Sequence, residues 1–438
     1  MTEDELQQQF FEMLMESQYW SPSQLVAYQR EQLEQLLRHA RANVPFYENR
    51  LDSVFRPGGG IDWDRWHEIP IVTRTDMRDH RDAMLARNRP RGHGDYSTIE
   101  SSGSTGLPIK ISTNRLMMLA TAAIRWRAQR WHGVDWSKTY TARGGFDPDA
   151  LYPDGKQTGI WGPPWDAAAR AGRSFTISRR FTSEETLEFL SRTATAYYSS
   201  VPKNVHTLAL EAERLGIFAS LESIFAHGEH VGADDKAAFR RVFGAACLEH
   251  YSSKEGGHMA HPCPDGPGLH VSAENLFLEI VDAEGAPCPV GVEGRVVITP
   301  FVSTIQPLIR YDQGDIAAFA PPCSCGRVLP LLKSISGRSM AIFTHPDGRA
   351  AARMLPDSAR EALDATMWQI AQVGPLDFEI RYVPRDTARL GDEHQAEAAF
   401  REIFFDDAAV KMIRLPRIET TAAGKFLEYV NEWRPSQT

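Results

Sequence analysis

The sequence predicts an α/β protein with a large, layered N-terminal domain and a small C-terminal α+β domain. The chain of 438 residues is long enough for two or three domains. Helical patterns alternate with short, β-branched segments up to about residue 300, which is typical of a layered α/β core. The composition then shifts near Gly337–Arg338. We therefore expect one domain over residues 1–337 and a second over 338–438.

Local patterns place the individual elements. The first predicted helix spans Ser21 to Ala40, because Ser21 is a suitable N-cap, Pro22 suits the first helical position and Gln24 completes a capping box. Pro45 ends it. Further helices are predicted at 73–85, 115–131, 184–196, 205–215 and 394–405, and strands at 276–281, 295–299 and 378–383.

Composition and charge exclude several classes of protein. A net charge of −9 argues against nucleic acid or an anionic membrane as the main partner. No apolar run approaches the roughly 20 residues that span a bilayer. The acidic N-terminus lacks the features of a signal peptide, and five cysteines do not suit a disulfide framework. These features predict a cytoplasmic protein.

The most distinctive short motif is a loop of small and hydroxyl residues. Small residues let backbone N–H groups point into one concavity, and hydroxyls add donors, which suits a phosphate chain. No lysine directly follows the second glycine, so this is not a Walker loop. A flexible polar turn is the alternative interpretation. The loop residues are Ser101, Ser102, Gly103, Ser104, Thr105 and Gly106.

Further motifs follow the loop in a fixed order. They are Tyr251–Glu255, Pro307–Asp315, Ser336–Arg338 and Gly424–Lys425. With the loop, this series resembles the adenylate-forming (acyl-CoA synthetase) superfamily, and specifically its phenylacetate–CoA ligase-like branch. Other signatures of that branch are similar to Tyr28–Gln29, Val44–Tyr47, Ile69–Asp76 and Cys323–Arg327.

The resemblance implies an AMP-forming ligase that uses ATP and Mg²⁺. A carboxylic acid, with an aryl acid favoured, would be activated to an acyl-adenylate and transferred to CoA. The C-terminal domain would rotate about the Gly337–Arg338 junction and bring in Lys425. The resemblance also implies a homodimer.

It also implies roles for individual residues. The loop would cradle the β- and γ-phosphates, Glu255 would hold Mg²⁺ and Lys425 would neutralise charge on the pentavalent phosphate. Asp315 would accept hydrogen bonds from the ribose hydroxyls, and Tyr251 would stack on adenine. Taken alone, Glu255 would cap a helix, and Asp315 and Lys425 would be ordinary turn residues. The other nucleotide-binding candidates are Gly228, Glu229, His250, Ser252, Ser253, Lys254 and Arg338.

A second group has the composition of a metal site. Cys323 and Cys325 form a C-x-C pair, and Cys263 and His270 lie upstream. Thiolates with an imidazole suit a closed tetrahedral Zn²⁺ site, with reduced, unliganded cysteines as the alternative. The resemblance implies a structural zinc here. We favour these four residues, with His258 and His261 as nearby alternatives.

The acid pocket is predicted between the loop and the Gly228 segment, as the resemblance implies. Its candidate residues are Trp136, Trp161, His206 and His230. Aromatic residues suit an aryl acid, but core packing explains any single tryptophan equally well.

Three departures from the family pattern leave the second half-reaction open. Ser252 and Lys254 replace the glycine and the Ser or Thr that the family expects, and no acid follows Gly337–Arg338. The segment Thr344–Gly348 also differs from the Arg-Gly segment that lies near CoA in the family. A non-CoA acceptor, such as a carrier-protein thiol or an amine, is one alternative. A degenerate ATP-binding regulator is another, although Lys425 argues against it. A kinase-type phosphotransferase is disfavoured by the missing motifs.

Overall fold

The computed structural model describes residues 2–88, 90–100, 109–145, 147–228, 231–336, 343–351, 355–386, 391–418 and 427–433. Several predicted site residues lie outside these ranges, so the structure does not describe them. They are Ser101, Ser102, Gly103, Ser104, Thr105, Gly106, Glu229, His230, Arg338 and Lys425. In the described ranges, no helix is both long enough and apolar enough to cross a membrane.

The described ranges contain ten α-helices. They are α1 (Glu3–Ser17), α2 (Pro22–Asn43), α3 (Arg74–Asp79), α4 (Arg115–Trp131), α5 (Ala167–Ala171), α6 (Ser183–Arg192), α7 (Pro202–Leu215), α8 (Ala233–Phe243), α9 (Asp357–Ala362) and α10 (Glu393–Ile403). Short 3₁₀ turns occur at Pro45–Tyr47, Asp52–Val54, Trp63–Glu68 and Arg91–His93.

The same ranges contain twenty β-strands. They are β1 (Tyr96–Glu100), β2 (Lys110–Asn114), β3 (Thr139–Arg143), β4 (Lys156–Thr158), β5 (Ser174–Ile177), β6 (Thr195–Ser200), β7 (Ser223–His227), β8 (Ala246–Ser253), β9 (Gly257–Pro262), β10 (Leu269–Val271), β11 (Leu276–Val281), β12 (Gly294–Pro300), β13 (Tyr311–Phe319), β14 (Leu331–Ser336), β15 (Phe343–Thr344), β16 (Ala350–Ala351), β17 (Ala365–Gln372), β18 (Asp377–Pro384), β19 (Ala409–Arg414) and β20 (Tyr429–Asn431).

Local sequence signals explain the helix ends. In α2 the Ser21 hydroxyl accepts from the Gln24 N–H at 3.3 Å, and the Gln24 amide oxygen accepts from the Ser21 N–H at 2.9 Å. This is the predicted capping box. The helix ends at Asn43, two residues before Pro45. The prediction for 184–196 was wrong at its end, because α6 stops at Arg192 and Ala194 has a φ of 49°.

A large mixed sheet organises the chain up to residue 336. Its strand order is β11-β12-β13-β14-β10-β9-β8-β7-β6-β3-β5-β4. Strands β5, β3, β6, β7 and β8 are parallel, whereas β8 pairs antiparallel with β9 and starts the antiparallel half. Parallel strands joined by helices are typical of layered α/β folds, so the predicted fold class is confirmed.

The C-terminal segment forms a smaller sheet of its own. Its order is β19-β18-β17-β20, and α9 and α10 pack beside it. Phe343, Phe378 and Phe400 are fully buried in a hydrophobic cluster that is separate from the clusters of the large sheet. The segment therefore has a core of its own, of the α+β type.

Candidate active site

Tyr251 and Asp315 meet at the junction between the two halves of the large sheet. Tyr251 lies near the carboxyl end of β8, and Asp315 lies on β13. The Tyr251 hydroxyl donates a hydrogen bond of 2.8 Å to Oδ2 of Asp315. The structure thus places the two residues predicted to contact adenine and ribose side by side.

Glu255 lies in the hairpin turn between β8 and β9. Ser253 pairs with Gly257, so the turn consists of Lys254, Glu255 and Gly256. A Cβ on Gly256 would lie 2.6 Å from Sδ of Met259, which requires glycine there. Glu255 therefore caps no helix. The residue is 8% exposed. A carboxylate held in this turn is the kind of ligand that a hard cation such as Mg²⁺ prefers.

A cavity of about 240 Å³ opens between α4 and the sheet. It reaches the carboxyl ends of β6, β7 and β8, where ligands bind in open α/β sheets. Its lining is Arg125, Ala128, Gln129, His132, Tyr140, Ser199, Phe225, His227, Leu248, His250, Ser252, His258, His261 and Pro262.

A bulge directs two of these histidines to the same side. His258 and His261 are three residues apart on β9, so in a regular strand they would point to opposite faces. The register with β8 shifts between the pairs Tyr251–Ala260 and Ser252–His258, which inserts Met259 as an extra residue. Both imidazoles now line the cavity and stack with their centroids 5.1 Å apart.

Burial keeps the cavity imidazoles neutral. It lowers the pKa of His227 to about 4, with a further contribution from the charge of Arg179. Burial also holds the pKa values of His250, His258 and His261 well below the usual 6.5. The charge of Arg125, and the repulsion between neighbouring imidazoles that would arise if they were protonated, act in the same direction.

A larger cavity of about 750 Å³ lies elsewhere on the same sheet. It is lined by residues at the amino ends of β3 and β6, including Lys138, Thr139 and Thr195. That edge is opposite to the one at which such sheets bind ligands. Size alone therefore does not mark the site.

The four residues predicted to bind zinc come together beyond β9. Their candidate ligand atoms all lie within 4.8 Å of one another. The Sγ atoms of Cys263 and Cys323 are 3.6 Å apart, and Nε2 of His270 is 3.2 Å from Sγ of Cys325. Nδ1 of His270 is 3.0 Å from the Leu329 carbonyl oxygen, which suits a ring whose other nitrogen faces a metal.

The two ends of this cluster differ in acidity. Burial raises the pKa of the Cys263 thiol to about 11. Burial acts in the same direction on Cys325, but hydrogen bonds from the Arg327 backbone and side chain outweigh it and lower the pKa of that thiol. Cys325 is thus the more readily formed thiolate, which is the form that binds metal.

Proteins of known name are similar to this chain in sequence. The phenylacetate-coenzyme A ligase of Thermus thermophilus is 27% identical over 330 residues, which cover 72% of this chain and 70% of that protein. The phenylacetate-coenzyme A ligase of Escherichia coli K12 is 27% identical over 343 residues, covering 73% and 72%. No family model matches the chain.

Solved structures show the same fold. A 2-hydroxyisobutyryl-CoA ligase in complex with 2-HIB-AMP and CoA, in its thioesterification state, superposes with a TM-score of 0.65. At 20% identity the match covers 95% of this chain and 91% of that one. Its postadenylation state with 2-HIB-AMP gives a TM-score of 0.60 at 19% identity, covering 95% and 93%. The chain is a homologue of the phenylacetate–CoA ligases, with the adenylate-forming fold.

The described site residues of this ligase homologue fall into two groups. Tyr251, Asp315 and Glu255 lie around the β8–β9 hairpin and β13. His250 and Ser252, predicted with the nucleotide-binding residues, instead line the cavity. Ser253 is not part of the described cavity lining; its hydroxyl accepts a hydrogen bond from the Gly256 N–H at 2.9 Å. Lys254 is exposed. Gly228 directly follows β7 with a φ of 82°.

The described acid-pocket candidates do not line this cavity. Trp136 and Trp161 are buried in a hydrophobic cluster, where Trp161 stacks on Tyr140 with centroids 5.2 Å apart. His206 is bound to Asp235, its Nδ1 lying 2.6 Å from Oδ1. In the described part of the chain, the ligase homologue uses these tryptophans for packing.

No sequence pattern predicted Arg125, His227 or the cavity role of His258 and His261. The recurrence of histidine along 250–261 is visible in the sequence, but His258 and His261 were predicted only as alternative zinc ligands. Their convergence depends on the bulge and on strand pairing, which the sequence does not display.

Proposed function

We propose that this ligase homologue activates a carboxylic acid with ATP and transfers the acyl group to CoA. The acid's carboxylate oxygen attacks the α-phosphorus and pyrophosphate leaves, which gives an acyl-adenylate. The CoA thiol then loses its proton and attacks the acyl carbon, and AMP leaves as the thioester forms. The hydrogen bond between Tyr251 and Asp315, with Glu255 in the hairpin turn that follows Tyr251, is the observation that best supports this proposal. The relatives named phenylacetate-coenzyme A ligase support it independently.

Each residue has a defined task in this proposal. Asp315 would accept hydrogen bonds from the ribose hydroxyls, and the Tyr251 hydroxyl, which donates to Oδ2, orients its carboxylate. Glu255 would hold the Mg²⁺, because its carboxylate lies in the β8–β9 turn and carboxylate oxygen is the ligand that this ion prefers. The Mg²⁺ would neutralise charge on the phosphates when bound. Residues 101–106 and Lys425, outside the described ranges, would bind the phosphates and neutralise the transition state.

The acid would bind in the 240 Å³ cavity. The cavity reaches Ser252, which adjoins Tyr251, and His227, which precedes Gly228. Its volume is below the roughly 300–1,000 Å³ of pockets for drug-sized ligands, which suits a small acid.

The remaining expectations are part of the same proposal. The C-terminal domain, residues 338–438, would rotate between the two half-reactions. A structural Zn²⁺ would be held by Cys263, His270, Cys323 and Cys325, whose donor set and spacing suit a tetrahedral ion. Bound there, it would tie the end of β9 to the segment before β14.

Acid-dependent pyrophosphate exchange with ATP and Mg²⁺ tests the first half-reaction, and CoA-dependent thioester formation tests the second. We expect exchange with at least one acid and thioester on adding CoA. Exchange without thioester would move the acceptor to a carrier-protein thiol or an amine. Absence of exchange across a broad acid panel, with ATP bound, would leave the degenerate regulator.

Lys425→Ala sharpens the test. We expect a loss of about 10²–10³-fold in exchange with ATP binding nearly intact, since one preorganised charge is removed from the transition state. Lys411→Ala is the matched control, because Lys411 is an exposed lysine on β19. Equal rates in the two variants would contradict the role of Lys425.

A further inference from the structure

The described lining of the cavity is rich in hydrogen-bond donors and contains no acidic residue. Nδ1 of His258, Nε2 of His261 and Nε of Arg125 are buried without a partner. The amide oxygen of Gln129 accepts from the Trp136 indole at 2.9 Å, which leaves the Gln129 amide N–H groups to donate. The hydroxyls of Ser199 and Ser252 add to this set.

Arg125 is the charged member of the lining. In the described part of the chain it has no ion pair and no hydrogen bond. A half-buried guanidinium is costly unless an anion compensates it. Neutral imidazoles are poor substitutes, since each offers a dipole and not a charge. Among the described residues, the walls of the cavity thus carry a positive charge without a negative one to match it.

A negative charge that pairs with Arg125 would lie at some distance from the carboxylate that reacts with ATP. The hairpin that holds Glu255 meets α4 near Thr121, because a Cβ on Gly257 would lie 2.7 Å from the Thr121 hydroxyl. Arg125 is one helical turn further along α4, about 6 Å away along the axis. An acid whose first carboxylate lies at the hairpin would place a second group beside Arg125.

We propose that the acid activated by this enzyme bears a second anionic group, which Arg125, His258 and His261 bind in the cavity. The inference rests on the proposed function and adds the substrate class. A simple aryl or alkyl monoacid would leave the Arg125 guanidinium and the unpartnered ring nitrogens of His258 and His261 without a partner.

Matched pairs of acids test the proposal by pyrophosphate exchange on the full chain. Glutarate is compared with pentanoate, and isophthalate with 3-methylbenzoate, so that each pair differs in the second carboxylate. We expect kcat/KM for at least one diacid to exceed that of its partner by about 30-fold or more, as expected for a buried charge pair. Equal or better exchange with the monoacids overturns the inference and leaves the proposed function standing. Silence with every acid overturns both.

Arg125→Leu should reduce the diacid-to-monoacid ratio by about 30-fold, towards one. The control is Arg130→Leu on the same helix, since Arg130 is exposed and its guanidinium lies 3.5 Å from Asp166. This control should keep the wild-type ratio. If Arg125→Leu does not fold, Arg125→Lys, which retains the charge, should keep a diacid preference, and wild-type protein should bind the diacid by calorimetry. A ratio that survives Arg125→Leu overturns the proposal.

A metal ion on the imidazoles is the main competing occupant, because His250, His258 and His261 offer nitrogens within 4.8 Å of one another. Elemental analysis separates the two. Metal that persists in Cys325→Ser but disappears in His258→Asn would overturn the anion site. A metal content that does not change with His258→Asn supports it.

Discussion

Two arginines on α4, two residues apart, have opposite surroundings. Arg127 is fully buried and its Nη1 lies 2.5 Å from Oε1 of Glu274, which also accepts from the Ser17 hydroxyl at 2.7 Å. Arg125 faces the cavity with no partner among the described residues. Two residues turn a helix by about 200°, so the side chains leave from opposite faces.

The contrast separates structure from binding. On the Arg127 face the guanidinium lies over Trp131 at 5.1 Å, and the same ring contacts His270 of the cysteine cluster. On this closed face the ion pair with Glu274 compensates the charge of Arg127 within the chain, although Nε and Nη2 of Arg127 and Oε2 of Glu274 have no hydrogen-bond partner among the described residues. The charge of Arg125 has no such counter-ion in the described ranges, and the anion proposed above would supply it.

Removing the closed pair should have the largest effect. Arg127→Leu leaves Glu274 buried and uncompensated, so we expect the free energy of unfolding to fall by about 3–5 kcal/mol in urea unfolding. Arg125→Leu is the matched comparison and should change the same quantity by less than about 1 kcal/mol, because it removes a charge that has no partner. Equal losses in both variants would break the contrast between the two faces.

Loss of the proposed metal should come next. We expect about one zinc per chain in the purified protein and little in Cys325→Ser. At free zinc one hundred times the dissociation constant, the variant should lose about 2.7 kcal/mol of stability. Cys247→Ser is a control for thiol loss, since Cys247 lies on β8 outside the cluster. Stability that is insensitive to a zinc chelator in the wild type would refute a structural metal.

Acid pH should lower the free energy of unfolding by a smaller amount, through His227 in the cavity lining. The folded chain holds the pKa of His227 at about 4, whereas the unfolded chain has the ordinary value of 6.5. Below pH 6.5 the unfolded state therefore binds a proton that the folded state does not, so stability falls as pH drops towards 4. From pH 6.5 to 5 we expect His227 to contribute a loss of about 1–2 kcal/mol.

The variant His227→Asn should flatten this pH dependence in urea unfolding. The exposed His394 on α10 provides the control His394→Asn, which should keep the wild-type slope. Identical slopes in all three proteins would show that folding does not lower the pKa of His227.

The sequence was informative where one short segment determines the structure. The capping box at Ser21 and Gln24 predicted the start of α2, and the order of the motifs predicted the fold. Contacts between distant segments were less accessible. Trp136 and Trp161 are aromatic and were therefore predicted to line the acid pocket. In the structure they are buried in a hydrophobic cluster, and Trp161 stacks on Tyr140.

The same limit applies to the candidate site. Cys263, His270, Cys323 and Cys325 could be grouped because cysteines are few and sulfur has a narrow chemistry. Histidine and arginine are common on surfaces, so nothing in the sequence set Arg125 or His227 apart. Only strand pairing and the bulge at Met259 gave them a shared cavity.

Consecutive residues near the end of strand β8 point alternately to two sides. Tyr251 faces Asp315, whereas His250 and Ser252 face the cavity. If the proposed function holds, substitutions at 250 and 252 would change the acid without touching the contacts of Tyr251, whereas inserting one residue would exchange the two faces. Diversification of substrate in such a ligase should proceed by point substitution at these positions, and length changes in this strand should be selected against.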